Sequence, residues 1–405
     1  MSRAFRPFLW AILLTLPGLF LRFLAIETSP IVLAAFAGLA ILGASFLLTW
    51  ACEAGQLDMP QAVAIAVVAF IAVLPEYAVD MYFTWMAGQD PTSTYSHYAI
   101  ANMTGANRLL IGLGWSVLVL IFASRFHKGI RLRAEKRTEI LFLGLATLYA
   151  LVIPLKGSLT WVDGAVLLGL YVWYLLIIGR RGIEDEPVEG PAAVLARMTP
   201  GRRKLSVFFL FLFSAAVIVL DAEPFSENLV KSGKLLGVNE FLLVQWIAPI
   251  ASEAPEFIIS IMFAMRGNAG LALGSLLASK LNQWTLLVGM IPWVYALSSQ
   301  GLTPPMHLDA HQFQEILLTA AQSFFAIALL MNLHLHKRQA IWLLLLFLGQ
   351  FLSPLYEEPV AALLGLSPDP LRFHAIFSWA YLIFGLCTVV RDRKYLLLLL
   401  RGFRI

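Results

Sequence analysis

Long apolar segments separated by short polar breaks run through almost the whole sequence. The chain of 405 residues is 60% hydrophobic and only 13% charged, and a soluble domain cannot bury that much apolar surface. Because a helix needs about 20 apolar residues to cross the hydrocarbon core, we predict about twelve spans. They are 8–26, 30–52, 61–87, 97–123, 138–154, 160–179, 205–221, 238–265, 269–297, 312–333, 339–354 and 371–390. The pattern therefore predicts an all-α polytopic membrane protein.

Basic residues are concentrated in four of the breaks between these spans. The breaks are 125–137, 180–204, 337–338 and the tail 391–405. Loops rich in Lys and Arg are typically cytoplasmic, and all four lie inside if the N-terminus is inside. We therefore expect both termini to be cytoplasmic. The short central linker, without a regulatory domain, favours the bacterial inner (plasma) membrane.

The linker also predicts how the chain is divided. Residues 180–204 are rich in Gly, Pro and charge and contain no spanning run, which is typical of a solvated connection. We predict a first transmembrane half at 1–179 and a second at 205–390, followed by the basic tail 391–405.

Each predicted half contains a Pro-Glu pair within an apolar segment, followed by a second apolar segment with small and amide residues. The pairs are Pro75-Glu76 and Pro255-Glu256, and the repeated stretches are 61–123 and 238–297. A carboxylate inside a membrane span is costly and is a functional hypothesis by default. In the predicted topology the two Pro-Glu spans cross in opposite directions, so the stretches form an inverted repeat. That arrangement places the carboxylates together near the bilayer midplane.

Other oxygen-bearing side chains follow the same segments. Asp80 follows Glu76 by four residues and Glu253 precedes Glu256 by three, so each pair lies on one helical face. Pro75 and Pro255 each leave a carbonyl one turn earlier without its helical partner. The candidate oxygen-bearing side chains of these segments are Glu76, Asp80, Asn102, Asn107, Ser252, Glu253, Glu256, Ser279 and Gln283.

These paired stretches resemble the alpha repeats of the sodium/calcium exchanger superfamily, the cation/Ca²⁺ antiporters. The family pattern is roughly G-T-S-x-P-E, followed by A-x-G-N-x-x-G-S-N-x-F-N/D. The residues that match it are Pro75, Glu76, Asn102, Gly105 and Asn107 in the first repeat, and Pro255, Glu256, Gly274 and Ser279 in the second. The resemblance implies two inverted five-helix repeats and a secondary antiporter with a midplane carboxylate site. It also implies that the oxygen-bearing side chains named above are the cation ligands, since Ca²⁺ takes six to eight oxygens.

The sequence departs from the family pattern at several ligand positions. Ala72-Val73 and Ser252-Glu253 stand where the family has Thr-Ser, and Ala106 and Leu110 replace a Ser and an Asn/Asp. In the second repeat, Lys280 replaces Asn and Gln283 replaces Asn/Asp.

Two basic residues, Arg108 and Lys280, stand beside matched positions. A cation close to the glutamates would repel a divalent ion. Either residue could turn away from the site, or Lys280 could occupy a cation position when the site is empty, which is compatible with proton coupling. A structural alternative pairs Arg108 and Lys280 with Glu76 and Glu256, or Arg108 with Asp80.

The main hypothesis is therefore an antiporter that exchanges Ca²⁺, or another cation, against Na⁺ or H⁺. Two alternatives are a Na⁺/H⁺-type exchanger or other-substrate transporter on the same fold, and a transport-inactive scaffold. The sequence contains neither H-E-x-x-H nor G-x-S-x-G, so we do not expect an enzyme. We expect no cofactor apart from the transported cations, and no nucleic-acid partner. The expected surroundings are the lipid bilayer, and the sequence leaves the oligomeric state open.

Overall fold

The structure is a computed structural model that describes residues 3–24, 28–59, 73–181, 188, 190–299, 301, 304–367 and 369–400. Several predictions involve residues outside these ranges. They concern segment 61–72 of the 61–123 repeat, which includes Ala72. They also concern part of the 180–204 linker, the end of the 8–26 span and the end of the basic tail.

Helices make up nearly all of the described chain, in agreement with the apolar pattern. The first eight are α1 (Arg6–Phe23), α2 (Pro30–Gly55), α3 (Leu74–Gln89), α4 (Tyr95–Leu109), α5 (Ser116–Phe126), α6 (Arg137–Ala150), α7 (Trp161–Arg181) and α8 (Ala192–Ala196). The next eight are α9 (Pro200–Leu236), α10 (Glu240–Met265), α11 (Ala269–Asn282), α12 (Val288–Ser298), α13 (Ala310–Leu330), α14 (Lys337–Leu363), α15 (Pro370–Arg391) and α16 (Arg393–Leu399). Four two-residue strands are β1 (Ile130–Arg131), β2 (Ser158–Leu159), β3 (Met306–His307) and β4 (His334–Leu335).

Ten helical segments in the described residues are long and apolar enough to cross a membrane. They correspond to ten of the about twelve predicted spans. Of the other two, 61–87 lies outside the described residues as far as residue 72, and the remainder forms most of α3. The segment 269–297 is helical from Ala269 to Ser298, but its amide, Lys and Trp residues reduce its hydropathy. The polytopic all-α class is thus confirmed, with ten clear spans.

Contacts divide the chain into two compact units that each combine parts of both sequence halves. Unit 1 contains residues 1–102 and 175–256, and unit 2 contains residues 103–174 and 257–405. The boundaries fall within α4, α7 and α10. This division reflects contacts in space, whereas the predicted halves at 1–179 and 205–390 reflect the repeat within the sequence. The predicted halves and linker therefore remain a prediction.

Unit 1 is built around α2, which packs against α1, α9 and α8, while α9 also packs against α3. Its core includes Ile41 from α2, Phe83 from α3 and Phe225 from α9. Helices α1 and α2 approach closely at Gly43 because glycine has no side chain. A Cβ at this position would lie 2.5 Å from the carbonyl oxygen of Ala11. Small residues allow such contacts between membrane helices.

Unit 2 contains two short antiparallel ladders between its loops. Ile130 and Arg131 of β1 pair with Leu335 and His334 of β4. The second ladder joins β2 to β3. Each ladder therefore holds together two of the connections between the helices of this unit.

The second helix of each repeat is interrupted at a corresponding place. A π-helical segment, Leu110–Trp115, follows α4, and another, Gln283–Leu287, follows α11. The first follows Asn107 closely, and the second begins at Gln283. Since π-helical turns insert a residue and often occur at functional sites, this shared irregularity supports the importance of the two stretches.

Candidate functional site

Six of the predicted ligands lie in unit 1, where α3, α4 and α10 carry them. We call this set the acidic cluster: Glu76, Asp80, Asn102, Ser252, Glu253 and Glu256. All except Glu256 are buried, and Glu256 is half-buried. The sequence pattern thus predicted a set of polar residues that the fold removes from solvent.

Glu76 lies in the first turn of α3, directly after Pro75. The Ser252 hydroxyl is within hydrogen-bonding reach of the Glu76 carboxyl group, and the charge of Glu256 acts on the same group. The two Pro-Glu pairs of the sequence are therefore neighbours within unit 1. A carboxylate in the first turn also interacts favourably with the positive end of its helix.

Asp80 is one turn further along α3 and is fully buried. Its Oδ1 accepts a hydrogen bond of 3.3 Å from Nδ2 of Asn102 on α4. The pairing joins the two helices of the first repeat and uses only Oδ1 of Asp80. Oδ2 of Asp80 is thereby available to a cation.

Helix α10 supplies the other side of the acidic cluster. It contains Pro249 and Pro255, and each proline removes one hydrogen bond from the helix. The Ser252 hydroxyl, between them, lies 3.3 Å from the carbonyl oxygens of both Ala248 and Pro249. This stretch of α10 therefore combines carboxylates, a hydroxyl and carbonyl oxygens without helical partners.

Several buried carboxyl oxygens of the acidic cluster have no hydrogen-bond partner among the described residues, and two of them belong to the first repeat. They are Oε2 of Glu76 and Oδ2 of Asp80. A buried polar atom without a partner is costly, and such an atom in a native structure requires an explanation. Binding a cation or a proton would satisfy both oxygens.

The remaining predicted ligands, Asn107, Ser279 and Gln283, lie in unit 2 together with the two basic residues. The ammonium of Lys280 donates a hydrogen bond of 2.6 Å to Oδ1 of Asn107 and lies 4.3 Å from the ring centre of Trp284. Lys280 is fully buried. An amide and an aromatic face thus solvate this charge in place of water.

Arg108 forms a buried ion pair with Glu315 of α13. The sequence interpretation offered Asp80, Glu76 or Glu256 as partners for Arg108, and had not selected Glu315. His374 of α15 also approaches Glu315, with 3.3 Å between Nε2 and Oε1. The signal was present, since Glu315 is the acidic residue of the 312–333 span and acids inside spans are rarely incidental.

Comparison with known proteins identifies the family. The sequence profile described as sodium/calcium exchanger protein matches residues 28–179 and 206–353, which is most of the chain. The chain belongs to this family. It is accordingly a multi-pass membrane protein of a transporter family, a cation/Ca²⁺ antiporter and not an enzyme, and the resemblance inferred from the repeats is confirmed. Ca²⁺, Na⁺ and H⁺ are the transported cations that the family implies.

Two solved structures and one further protein are similar to this chain. The crystal structure of the H⁺/Ca²⁺ exchanger CAX is 40% identical, with a TM-score of 0.91, and the match covers 100% of this chain and 98% of that chain. The sodium-calcium exchanger NCX_Mj is 19% identical, with a TM-score of 0.51 over 77% of this chain and 94% of that chain, and it shows the fold alone. The sodium/calcium exchanger MaX1 of Methanosarcina acetivorans is 27% identical over 90 residues, 22% of this chain and 26% of that protein.

Proposed function

We propose that this exchanger moves Ca²⁺ against H⁺ and that the acidic cluster binds both ions in competition. The observation that carries the proposal is the pair of buried carboxyl oxygens, on Glu76 and Asp80, without hydrogen-bond partners among the described residues. The 40% identity to a structure of an H⁺/Ca²⁺ exchanger over the full chain supports the choice of ions.

Coupling follows from the cost of buried charge. An empty cluster with ionised Glu76 and Glu256 would hold adjacent like charges away from water, which is strongly unfavourable. A bound Ca²⁺ neutralises the carboxylates directly, whereas protons neutralise them one by one. In this scheme the protein changes access only when the cluster carries Ca²⁺ or protons, so the ions are exchanged.

Proton coupling is favoured over Na⁺ coupling by the donor set. The cluster contains four carboxyl groups, while one Thr-Ser position of the family pattern has lost both hydroxyls, as Ala72-Val73. A carboxylate can bind either a proton or a metal cation, whereas a neutral hydroxyl oxygen can only coordinate a metal cation. A cluster rich in the first and depleted in the second suits H⁺ as the counter-ion.

The test is flux in proteoliposomes with an internal pH dye and a Ca²⁺ indicator. An imposed pH gradient should drive Ca²⁺ movement, and a Ca²⁺ gradient should drive H⁺ in the opposite direction. Glu76→Gln and Glu256→Gln should each abolish both fluxes. Glu135→Gln, which neutralises an exposed loop carboxylate, is the matched control and should retain both.

Other outcomes identify the alternatives. Ca²⁺ movement driven by a Na⁺ gradient and indifferent to pH would replace H⁺ by Na⁺ as the counter-ion. Na⁺/H⁺ exchange without Ca²⁺ movement would indicate a Na⁺/H⁺-type exchanger. Absence of all three fluxes in folded protein would indicate a scaffold.

We also propose that both termini are cytoplasmic, in a bacterial inner membrane. The ladder of β1 with β4 joins the basic connection 125–137 to the basic connection at 337–338, and the topology assigns both to the inside. The ladder of β2 with β3 joins two connections that the topology assigns to the outside. Cysteine labelling of engineered sites at Lys128 and Leu308, from each side of intact vesicles, tests this arrangement. Opposite accessibility is expected.

A further inference from the structure

A histidine and carboxylate group in unit 2 lies outside the acidic cluster and is not needed for the proposed exchange. It consists of His311 and Glu315 on α13 and His374 on α15. We propose that these three residues bind a divalent transition-metal ion of the Zn²⁺ type, at a site separate from the transported Ca²⁺.

The spacing of the three residues fits a metal site. His311 and Glu315 are four residues apart on one helix, so their side chains project from the same face. One ligand atom from each of the three residues lies within 4.8 Å of the others. Nε2 of His374 and Oε1 of Glu315 are 3.3 Å apart. Two ligands at the usual Zn²⁺ bond lengths on a tetrahedral ion are also separated by about 3.3 Å.

The donor types are specific as well as close. Two imidazoles and one carboxylate are the protein ligands of many Zn²⁺ sites that keep an open position. Imidazole suits Zn²⁺ and its neighbours in the first transition row, whereas Ca²⁺ prefers oxygen alone. The group is therefore chemically distinct from the all-oxygen acidic cluster.

Glu315 is held in place by groups behind it. Its Oε2 accepts hydrogen bonds from Arg108 and, at 3.3 Å, from the Thr104 hydroxyl, which leaves Oε1 directed towards His374. Carboxylates that bind metals are commonly fixed by such outer hydrogen bonds. Arg108 and Thr104 are positioning residues in this arrangement.

Charge is the main objection, because Arg108 is cationic and helix N-termini carry partial positive charge. Two further carboxylates offset the helix ends. Asp309 caps α13 by accepting a hydrogen bond of 2.8 Å from the Gln312 backbone N–H. Asp369 caps α15 by accepting one of 3.1 Å from Leu371. With Glu315 already paired to Arg108, the two caps supply negative charge at the N-terminal ends of α13 and α15.

The site is reachable from the connections that precede both helices. His311 is the second residue of α13 and His374 is in the second turn of α15. Both imidazoles are partly exposed, whereas Glu315 is buried. A metal would therefore enter at the helix ends and bind against a fixed, buried carboxylate.

The experiment uses purified full-length protein, stripped of metal and titrated with Co²⁺ as a spectroscopic substitute for Zn²⁺. Wild type should develop the intense visible absorption of four- or five-coordinate Co²⁺, and Zn²⁺ should abolish it by competition. His311→Gln and His374→Gln should each weaken Co²⁺ binding by at least about tenfold. His334→Gln is the matched control, because it also removes one imidazole of a neighbouring pair, with 3.8 Å between its ring and that of His336. The His334→Gln variant should bind Co²⁺ as tightly as the wild type.

Zn²⁺ X-ray absorption on the wild type provides a test that does not depend on variant folding. Two imidazole ligands and at least one oxygen at about 2.0–2.2 Å are expected. Ligation by oxygen alone, or loss of binding in His334→Gln rather than His374→Gln, would overturn the proposal. The Glu76→Gln variant should keep full Zn²⁺ affinity, so failure of the exchange proposal and failure of this one are distinguishable.

Discussion

Lys280 and Asn107 meet across the two repeats, with the ammonium 2.6 Å from the amide oxygen. The other end of the same amide, Nδ2 of Asn107, donates a hydrogen bond of 2.8 Å to the carbonyl oxygen of Met103. That second bond fixes which end of the amide faces Lys280. Lys280 thus stands where the family pattern has Asn, and its charge is stabilised by Asn107 of the other repeat.

The Lys280–Asn107 contact should give a measurable coupling energy. Asn107→Leu removes the acceptor of a fully buried ammonium and should destabilise the protein by about 1.5–3 kcal/mol or more. Lys280→Met should cost less, because it leaves only a neutral amide without its partner. The double variant should be more stable than the sum of the single effects predicts. Unfolding of all four proteins in detergent measures this, and additive effects would contradict the pairing.

Asp80 should contribute to Ca²⁺ affinity without being indispensable. Asp80→Asn retains the size of the side chain and its contact with Asn102, but removes one negative charge from the acidic cluster. Because charge count tunes Ca²⁺ affinity, we expect the apparent Km for Ca²⁺ uptake to rise by roughly tenfold. Asp90→Asn is the control, since Asp90 is an exposed residue at the end of the same helix and accepts hydrogen bonds from Thr92. Equal effects of both changes would remove Asp80 from the site.

The ion pair of Arg108 with Glu315 should be far more costly to break than to replace. Glu315→Gln leaves a buried guanidinium without its counter-charge and should lower the free energy of unfolding by about 3–5 kcal/mol. The double variant Arg108→Met with Glu315→Leu should recover much of that loss, because it removes both desolvated charges. Thermal unfolding in detergent gives the comparison. A double variant less stable than Glu315→Gln would show that the pair has a further structural role.

His334 should make stability sensitive to mild acid. Burial, followed by the nearby charges of His336 and Arg131, lowers the pKa of His334 below its ordinary value of 6.5. The unfolded chain therefore binds a proton more readily than the folded protein. Stability is fully present above about pH 6.5 and falls as the pH drops from there towards the lower folded-state pKa.

His334→Gln should flatten this part of the pH–stability curve. Unfolding measured between pH 5 and pH 8 is the test, with His97→Gln as the control, since His97 is a half-buried histidine in the first turn of α4. A wild-type curve that is flat below pH 6.5, or one unchanged by His334→Gln, would contradict the prediction.

Much of the fold could be predicted because its cause is local. An apolar segment long enough to span a bilayer must form a helix, since no water is available to its backbone groups. Ten described segments meet that condition, and they match predicted spans. Of the other two predicted spans, 61–87 lies partly outside the described residues, and 269–297 is helical but has a lower hydropathy because it carries polar residues.

The candidate site could be predicted in part. The Pro-Glu pairs identified Glu76 and Glu256, and the structure brings both into one unit, with Ser252 beside Glu76. Glu315 was missed because it has no counterpart in the repeat pattern and lies in a span that was otherwise unremarkable. Its role depends on Arg108 and His374, which are distant in sequence.

By itself, the sequence determined the membrane class, ten of the spans, the paired acidic stretches and the family, because hydropathy and short motifs depend on residues close together in the chain. Only the tertiary structure decided how the buried charges are matched. Lys280 lies against Asn107 and Trp284, and Arg108 lies against Glu315. The reason is electrostatic: a charge removed from water must find a partner in space, and helices distant in sequence supply it.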